Sequence, residues 1–161
     1  MNDDRLIELR VLIQNVLGMP EYSVRPADES QPTDGSDYAI VQLSDTESKG
    51  WASGGLILKQ SGAVTLTIDF MGDNAKQYVD QLSLAMQSRY AVDTLLSLDM
   101  GYLECSPARD LTALELERVK RYQVKLQLSY ASTYQVPTTV PPDYQEDKEF
   151  VAVPIGLIAE P

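Results

Sequence analysis

The alternation in residues 63–70 constrains this chain more than any other feature. Val64, Leu66, Ile68 and Phe70 fall on one side of an extended backbone, with Thr65, Thr67 and Asp69 on the other. That is the period of a strand with one buried face. Met71 and Gly72 end the run, and Asp73 or Asn74 then offers a side-chain cap for a helix. The apolar residues of that helix, Ala75, Tyr78, Val79, Leu82, Ala85 and Met86, recur at spacings of three and four. They form one stripe about four turns long. A strand turning directly into an amphipathic helix predicts helix packed on sheet, and nothing in this unit has catalytic character.

A second strand is as clear. Across residues 118–134, Tyr122, Val124, Leu126, Leu128 and Tyr130 share one face, and Gln123, Lys125, Gln127 and Ser129 share the other. Its length suits antiparallel pairing with residues 63–70 in one sheet. The polar faces of the two strands resemble each other in their mix of Thr, Gln and charge. The reading is therefore α+β: an antiparallel sheet with helices packed on one face and a polar surface on the other.

The remaining segments fit around these two strands. Residues 3–17 predict a first helix, with Leu6, Leu9, Ile13, Val16 and Leu17 in a stripe that Ile7 and Leu12 widen. Gly18 and Pro20 end it, and Asp3 and Asp4 suit its positive N-terminal end. Residues 18–37 read as loop, interrupted by Pro20, Pro26, Pro32 and Gly35. Residues 38–43 read as a strand, and residues 44–61 as a polar excursion in which Trp51 sits in a Gly-rich loop. Trp51 is a candidate partner contact, since tryptophan is enriched at interface hot spots; the competing reading folds it over the domain's own core. Residues 92–98 predict a short helical turn or loop, residues 102–105 a short strand, and residues 109–112 a connector. Residues 1–134 form the α+β domain. Residues 135–161 form an extended arm with Pro137, Pro141 and Pro142, ending in a strand-like apolar stretch that includes Phe150, Val151 and Val153. That end can return to its own sheet or add to a neighbour's edge.

Composition narrows function mainly by exclusion. The chain has 161 residues, 24 acids against 13 bases, and a net charge of −11. Such a surface does not grip nucleic acid through its phosphates. There is no histidine, so neither a Ser-His nor a Cys-His nucleophile can be assembled, and of the serine-based arrangements only a Ser-Lys pair stays open. The single cysteine, Cys105, rules out an internal disulfide framework, fits a reducing compartment and reads as a small buried thiol. No Walker or dinucleotide-binding glycine motif occurs. The acidic groups Asp110/Glu115/Glu117 and Asp143/Glu146/Asp147/Glu149 read as solvated acids rather than a metal site. No apolar run approaches the roughly 20 residues of a membrane helix, and the acidic N-terminus lacks the character of a signal peptide. The reading is of a non-enzymatic protein without cofactor or metal.

The order of elements carries a resemblance. A helix leads through a long loop to Tyr38-Ala39-Ile40-Val41. A strand then runs into Phe70-Met71-Gly72-Asp73-Asn74-Ala75 and a helix. After Asp110-Leu111-Thr112-Ala113-Leu114 comes Glu117, then Arg121-Tyr122 on a final long strand. Across residues 3–134 this resembles the neck and tail-terminator proteins of tailed bacteriophages; Met71 stands where tyrosine is common. The resemblance implies a virion protein that is assembled in the host cytoplasm into a homo-oligomeric ring, usually a hexamer. Such a ring caps the tail tube, joins it to the head connector and lets DNA pass without sequence-specific binding. On that reading Thr65, Thr67, Asp69, Gln123, Lys125 and Gln127 line the channel or a subunit interface. The alternative is a binding adaptor of the same fold, without a ring, holding one protein partner through Trp51 and the arm.

Overall fold

The computed structural model describes residues 3–29, 35–54, 57–112 and 119–135. Three long strands dominate it: β2 (Tyr38–Ser53), β3 (Ile57–Met71) and β6 (Arg121–Gln135). With β1 (Val24–Pro26) and β4 (Met100–Cys105) they form a sheet ordered β1-β2-β3-β6-β4, and β5 (Arg109–Asp110) also pairs with β6. β3 and β6 run antiparallel in unbroken register from Ile57 opposite Gln135 to Met71 opposite Arg121. Antiparallel pairing also joins β2 to β3 and β4 to β6; the short β1 lies parallel to β2 at one edge.

Helices α1 (Asp3–Leu17), α2 (Ala75–Ala85) and α3 (Arg89–Ser97) bury one face of this sheet. The core joins Val64, Leu66, Ile68 and Phe70 of β3 with Val124, Leu126 and Leu128 of β6. Against them pack Leu9, Leu12 and Ile13 of α1, Val79 and Leu82 of α2, and Leu95 of α3. Among the described residues the apolar alternation of the two strands thus meets helical stripes on one side only, the α+β arrangement that the sequence predicts. Tyr130 reaches this core by lying across Gly62, its cross-strand partner, where a Cβ would come within 2.5 Å of the ring.

Several local readings change. Ile7 faces water at 47% exposure, because two helical positions from the buried Leu9 is a rotation of about 200°. The connection after α1 contains β1, held by a bond from the Ala39 amide to the Ser23 carbonyl (2.9 Å). A three-residue strand ending in proline has no period to read, and proline is tolerated there because this is an edge. α2 has 11 residues, about three turns and not four. Asn74 does not cap it with its own side chain. The carboxylate of Asp37, just ahead of β2, instead accepts from the Asn74 backbone amide (3.1 Å) and from its side-chain amide (2.6 Å). Ser88 caps α3, accepting from the Ala91 amide at 3.3 Å.

The largest difference lies in residues 44–53, which continue β2 rather than looping. Beyond Leu43 this strand leaves the helix layer, so both of its faces meet water and no apolar period marks it. Its ladder to β3 holds it instead, with Asp45, Glu47 and Lys49 opposite Thr65, Ala63 and Ser61. A bulge at Ser44 starts this outer part, and the Ser44 hydroxyl donates to the Thr65 carbonyl (3.0 Å).

Candidate functional site

The face of the sheet away from the helices brings the six polar strand residues together. Thr65 stands opposite Gln127, Thr67 opposite Lys125, and Asp69 opposite Gln123. Paired residues of an antiparallel ladder share a face, so the three pairs stack along one polar strip. The register widens the strip across the sheet. Asp45 and Gln42 of β2 continue the first two rows on one side. Glu104 of β4 adjoins Gln127, and Arg109 of β5 adjoins Gln123. Lys125 is exposed, whereas the other five are half-buried.

One end of the strip is locked electrostatically. The Asp69 carboxylate accepts from Arg121 Nε at 3.3 Å and from Gln123 Nε2 at 3.1 Å. The Asp69 and Arg121 side chains are only 14% and 29% exposed, so solvent screens the pair less than a surface bridge. Asp69→Ala removes the acceptor shared by two neighbours, and is expected to lower unfolding free energy by about 1–2 kcal/mol. Urea unfolding of the two proteins checks this; an unchanged midpoint would show that the network adds nothing to stability. The edge of β6 is fixed next to Lys125, whose amide donates to Ser106 Oγ (2.9 Å) and whose carbonyl accepts from the Ser106 amide (2.8 Å).

Arg121 belongs to the strip and was legible in the sequence, since it shares the parity of Gln123 and Lys125. Glu104 and Arg109 were not legible, because only the tertiary register brings them alongside β6. Trp51 lies in the outer part of β2, in strand rather than in a Gly-rich loop. Phe150, Val151 and Val153 lie outside the described residues, as do Glu115 and Glu117.

The surface offers hydrogen bonds and little else. Two open depressions flank β6. One, of about 280 Å³, is lined by Ser106, Pro107, Arg109 and Lys125. The other, of about 570 Å³, holds Lys76 paired with Asp80 (2.6 Å) and Lys120 paired with Asp73 (3.3 Å). Cys105 is half-buried, and burial pushes its thiol above the ordinary range, away from the reactive thiolate. Asp110 is held below the usual carboxylate range by its hydrogen bonds with Thr112, including one from the Thr112 amide (3.0 Å). Among the described residues no three His, Cys, Asp or Glu side chains gather as a metal site. Among them, too, no helix is long and apolar enough to cross a membrane.

The family model described as phage neck terminator protein matches residues 7–158. The chain belongs to this family. No curated protein matches it. The matched span runs past residue 134, where the resemblance in the sequence ended, and takes in most of the Pro-rich arm. This neck terminator protein is therefore a structural component of a phage neck, with a place in the virion.

Proposed function

We propose that this neck terminator protein closes into a homo-oligomeric ring, a hexamer, between the tail tube and the head connector. It assembles in the host cytoplasm, caps the tube and lets the genome through its centre. Residues 1–134 form the ring body, and residues 135–161 act as an arm that reaches a neighbour. The polar strip lines the channel. The observation that carries this assignment is the strip itself, a face with no helix over it among the described residues, on which Thr65, Thr67, Gln123 and Gln127 are uncharged and Asp69 is paired with Arg121. Passing DNA meets hydrogen-bonding groups with few free cations, and a net charge of −11 opposes sticking at longer range.

Thr67→Lys combined with Gln127→Lys tests the assignment without touching the Asp69 pair. Each added ammonium can take up a phosphate, so rings should form normally while genome delivery slows several-fold, most strongly at low salt. Failure of ring closure would place the strip at a subunit seam instead, and normal delivery from normal rings would remove it from the channel. Mass by light scattering with negative-stain images, alone and with tail tubes, tests the ring. An open-centred ring supports it. A one-to-one complex with a single partner, and no ring on tubes, would favour the adaptor reading.

A further inference from the structure

β2 carries an edge longer than anything the described residues lay against it. β1 pairs only with Ala39, Ile40 and Val41, while β2 continues to Ser53. From residue 42 to residue 53 its side away from β3 has no strand beside it among the described residues. The core face shows the same gap. Leu43 pairs with the fully buried Leu66 yet keeps 38% of its surface exposed, at the point where β1 has already stopped. An open edge of this length is a template for another strand.

We propose that this edge receives residues 150–158 of a neighbouring copy as an added antiparallel strand, an inference that rests on the ring reading above. The segment supplies Phe150, Val151, Val153, Ile155, Leu157 and Ile158 without a charge, so it carries apolar surface for Leu43 and a backbone ladder for β2. Its direction is taken from the chain's own exit from the sheet, carried over to a neighbour that presents its arm from the same end. β6 ends at Gln135 opposite Ile57, at the same end where Ser53 of β2 lies opposite Lys59. A strand entering β2 from that end runs antiparallel to it.

Tether length favours a neighbour over the same chain. Passing from β6 across β3 to the outer side of β2 takes about 14 Å at ~4.8 Å per strand spacing. Residues 136–149 include Pro137, Pro141 and Pro142, and a tether of that length can reach up to about 43 Å at roughly 3.1 Å per residue. A proline-stiffened spacer of that reach suits the next subunit better than a direct return.

Pro154 fixes which residues bond. Along an antiparallel edge, alternate residues aim their N–H and C=O at the partner strand. Pro154 has no N–H, so its parity points away from β2. Val151, Val153, Ile155 and Leu157 then make the ladder, and Ala152 faces outward.

Hydrogen–deuterium exchange of the full-length protein, dispersed and assembled on tail tubes, tests this with two proline variants. In assembled wild type, amides within residues 42–49 should exchange at least about tenfold more slowly than in dispersed subunits. Val153→Pro should abolish that protection, and Ala152→Pro should retain it. Rings whose residues 42–49 stay unprotected would overturn the strand addition and leave the ring standing. Equal protection in dispersed subunits would overturn exchange between copies, since the chain would then cover its own edge. Equal effects of the two prolines would overturn the register. If wild type forms no ring even on tubes, the ring reading falls and this inference with it.

Discussion

Phe70→Ala is expected to lower the unfolding free energy by about 3–5 kcal/mol. Phe70 is fully buried near the end of the central strand β3, opposite Ala39 on one side and Tyr122 on the other. Its ring stacks on Tyr78 of α2, with centroids 6.2 Å apart and planes inclined by 28°. Truncation removes this contact and opens a hole between sheet and helix. Ala39 and Ala75, both fully buried nearby in the core, are too short to fill it. Against a total of roughly 5–15 kcal/mol for a domain, such a loss is a large fraction. Urea unfolding should show a markedly lower midpoint with an unchanged slope. A loss below about 1 kcal/mol would mean that the core collapses around the gap, and that the Phe70–Tyr78 stack does not join α2 to the sheet.

The parts of this molecule legible in its sequence are those where one face is buried and the other is wet. Val64 to Phe70 and Tyr122 to Tyr130 advertise their strands because the helix layer touches only alternate residues. The same alternation picks out the polar strip, since Thr65, Thr67 and Asp69 must turn away from whatever buries Leu66. Their pairing with Gln127, Lys125 and Gln123 follows once two strands of one period are laid antiparallel in this register. The outer half of β2 was invisible for the opposite reason. Water covers both of its faces, so Asp45, Glu47 and Lys49 leave a pattern indistinguishable from a loop, and backbone pairing alone makes it a strand. β1 was hidden by its brevity. The Asp37–Asn74 contact spans 37 positions, and no local capping rule anticipates a carboxylate arriving from that distance. Function divides in the same way. The order of elements points to the phage neck family, whereas the stretch of β2 beyond Val41 that has no strand beside it among the described residues exists only once the strands are in place.

Gly72→Ala is the second substitution with a large expected effect, and it tests the corner where β3 turns into α2. Gly72 adopts φ of +115°, a backbone conformation that side chains strongly disfavour. It is also crowded. A Cβ there would overlap the Asp37 carboxylate oxygen and lie 2.8 Å from the α-carbon of Asp37. Asp37 cannot simply swing aside, because its carboxylate holds Asn74 at the start of α2 and its chain continues at once into Tyr38, paired with Met71. Backbone strain and overpacking each contribute about 1–3 kcal/mol, so the sum is expected near 2–6 kcal/mol. A double-mutant cycle with Asp37→Ala isolates the part of the overpacking that comes from the carboxylate. Removing the carboxylate relieves the overlap with its oxygen, while the crowding against the Asp37 main chain and the strained φ persist. The cost of Gly72→Ala should therefore fall in the Asp37→Ala background without vanishing. An identical cost in both backgrounds would assign the whole effect to φ and to that main-chain crowding. A cost within about 0.5 kcal/mol of zero would mean that the corner relaxes freely, and that Gly72 is not what lets Asp37 approach the start of α2.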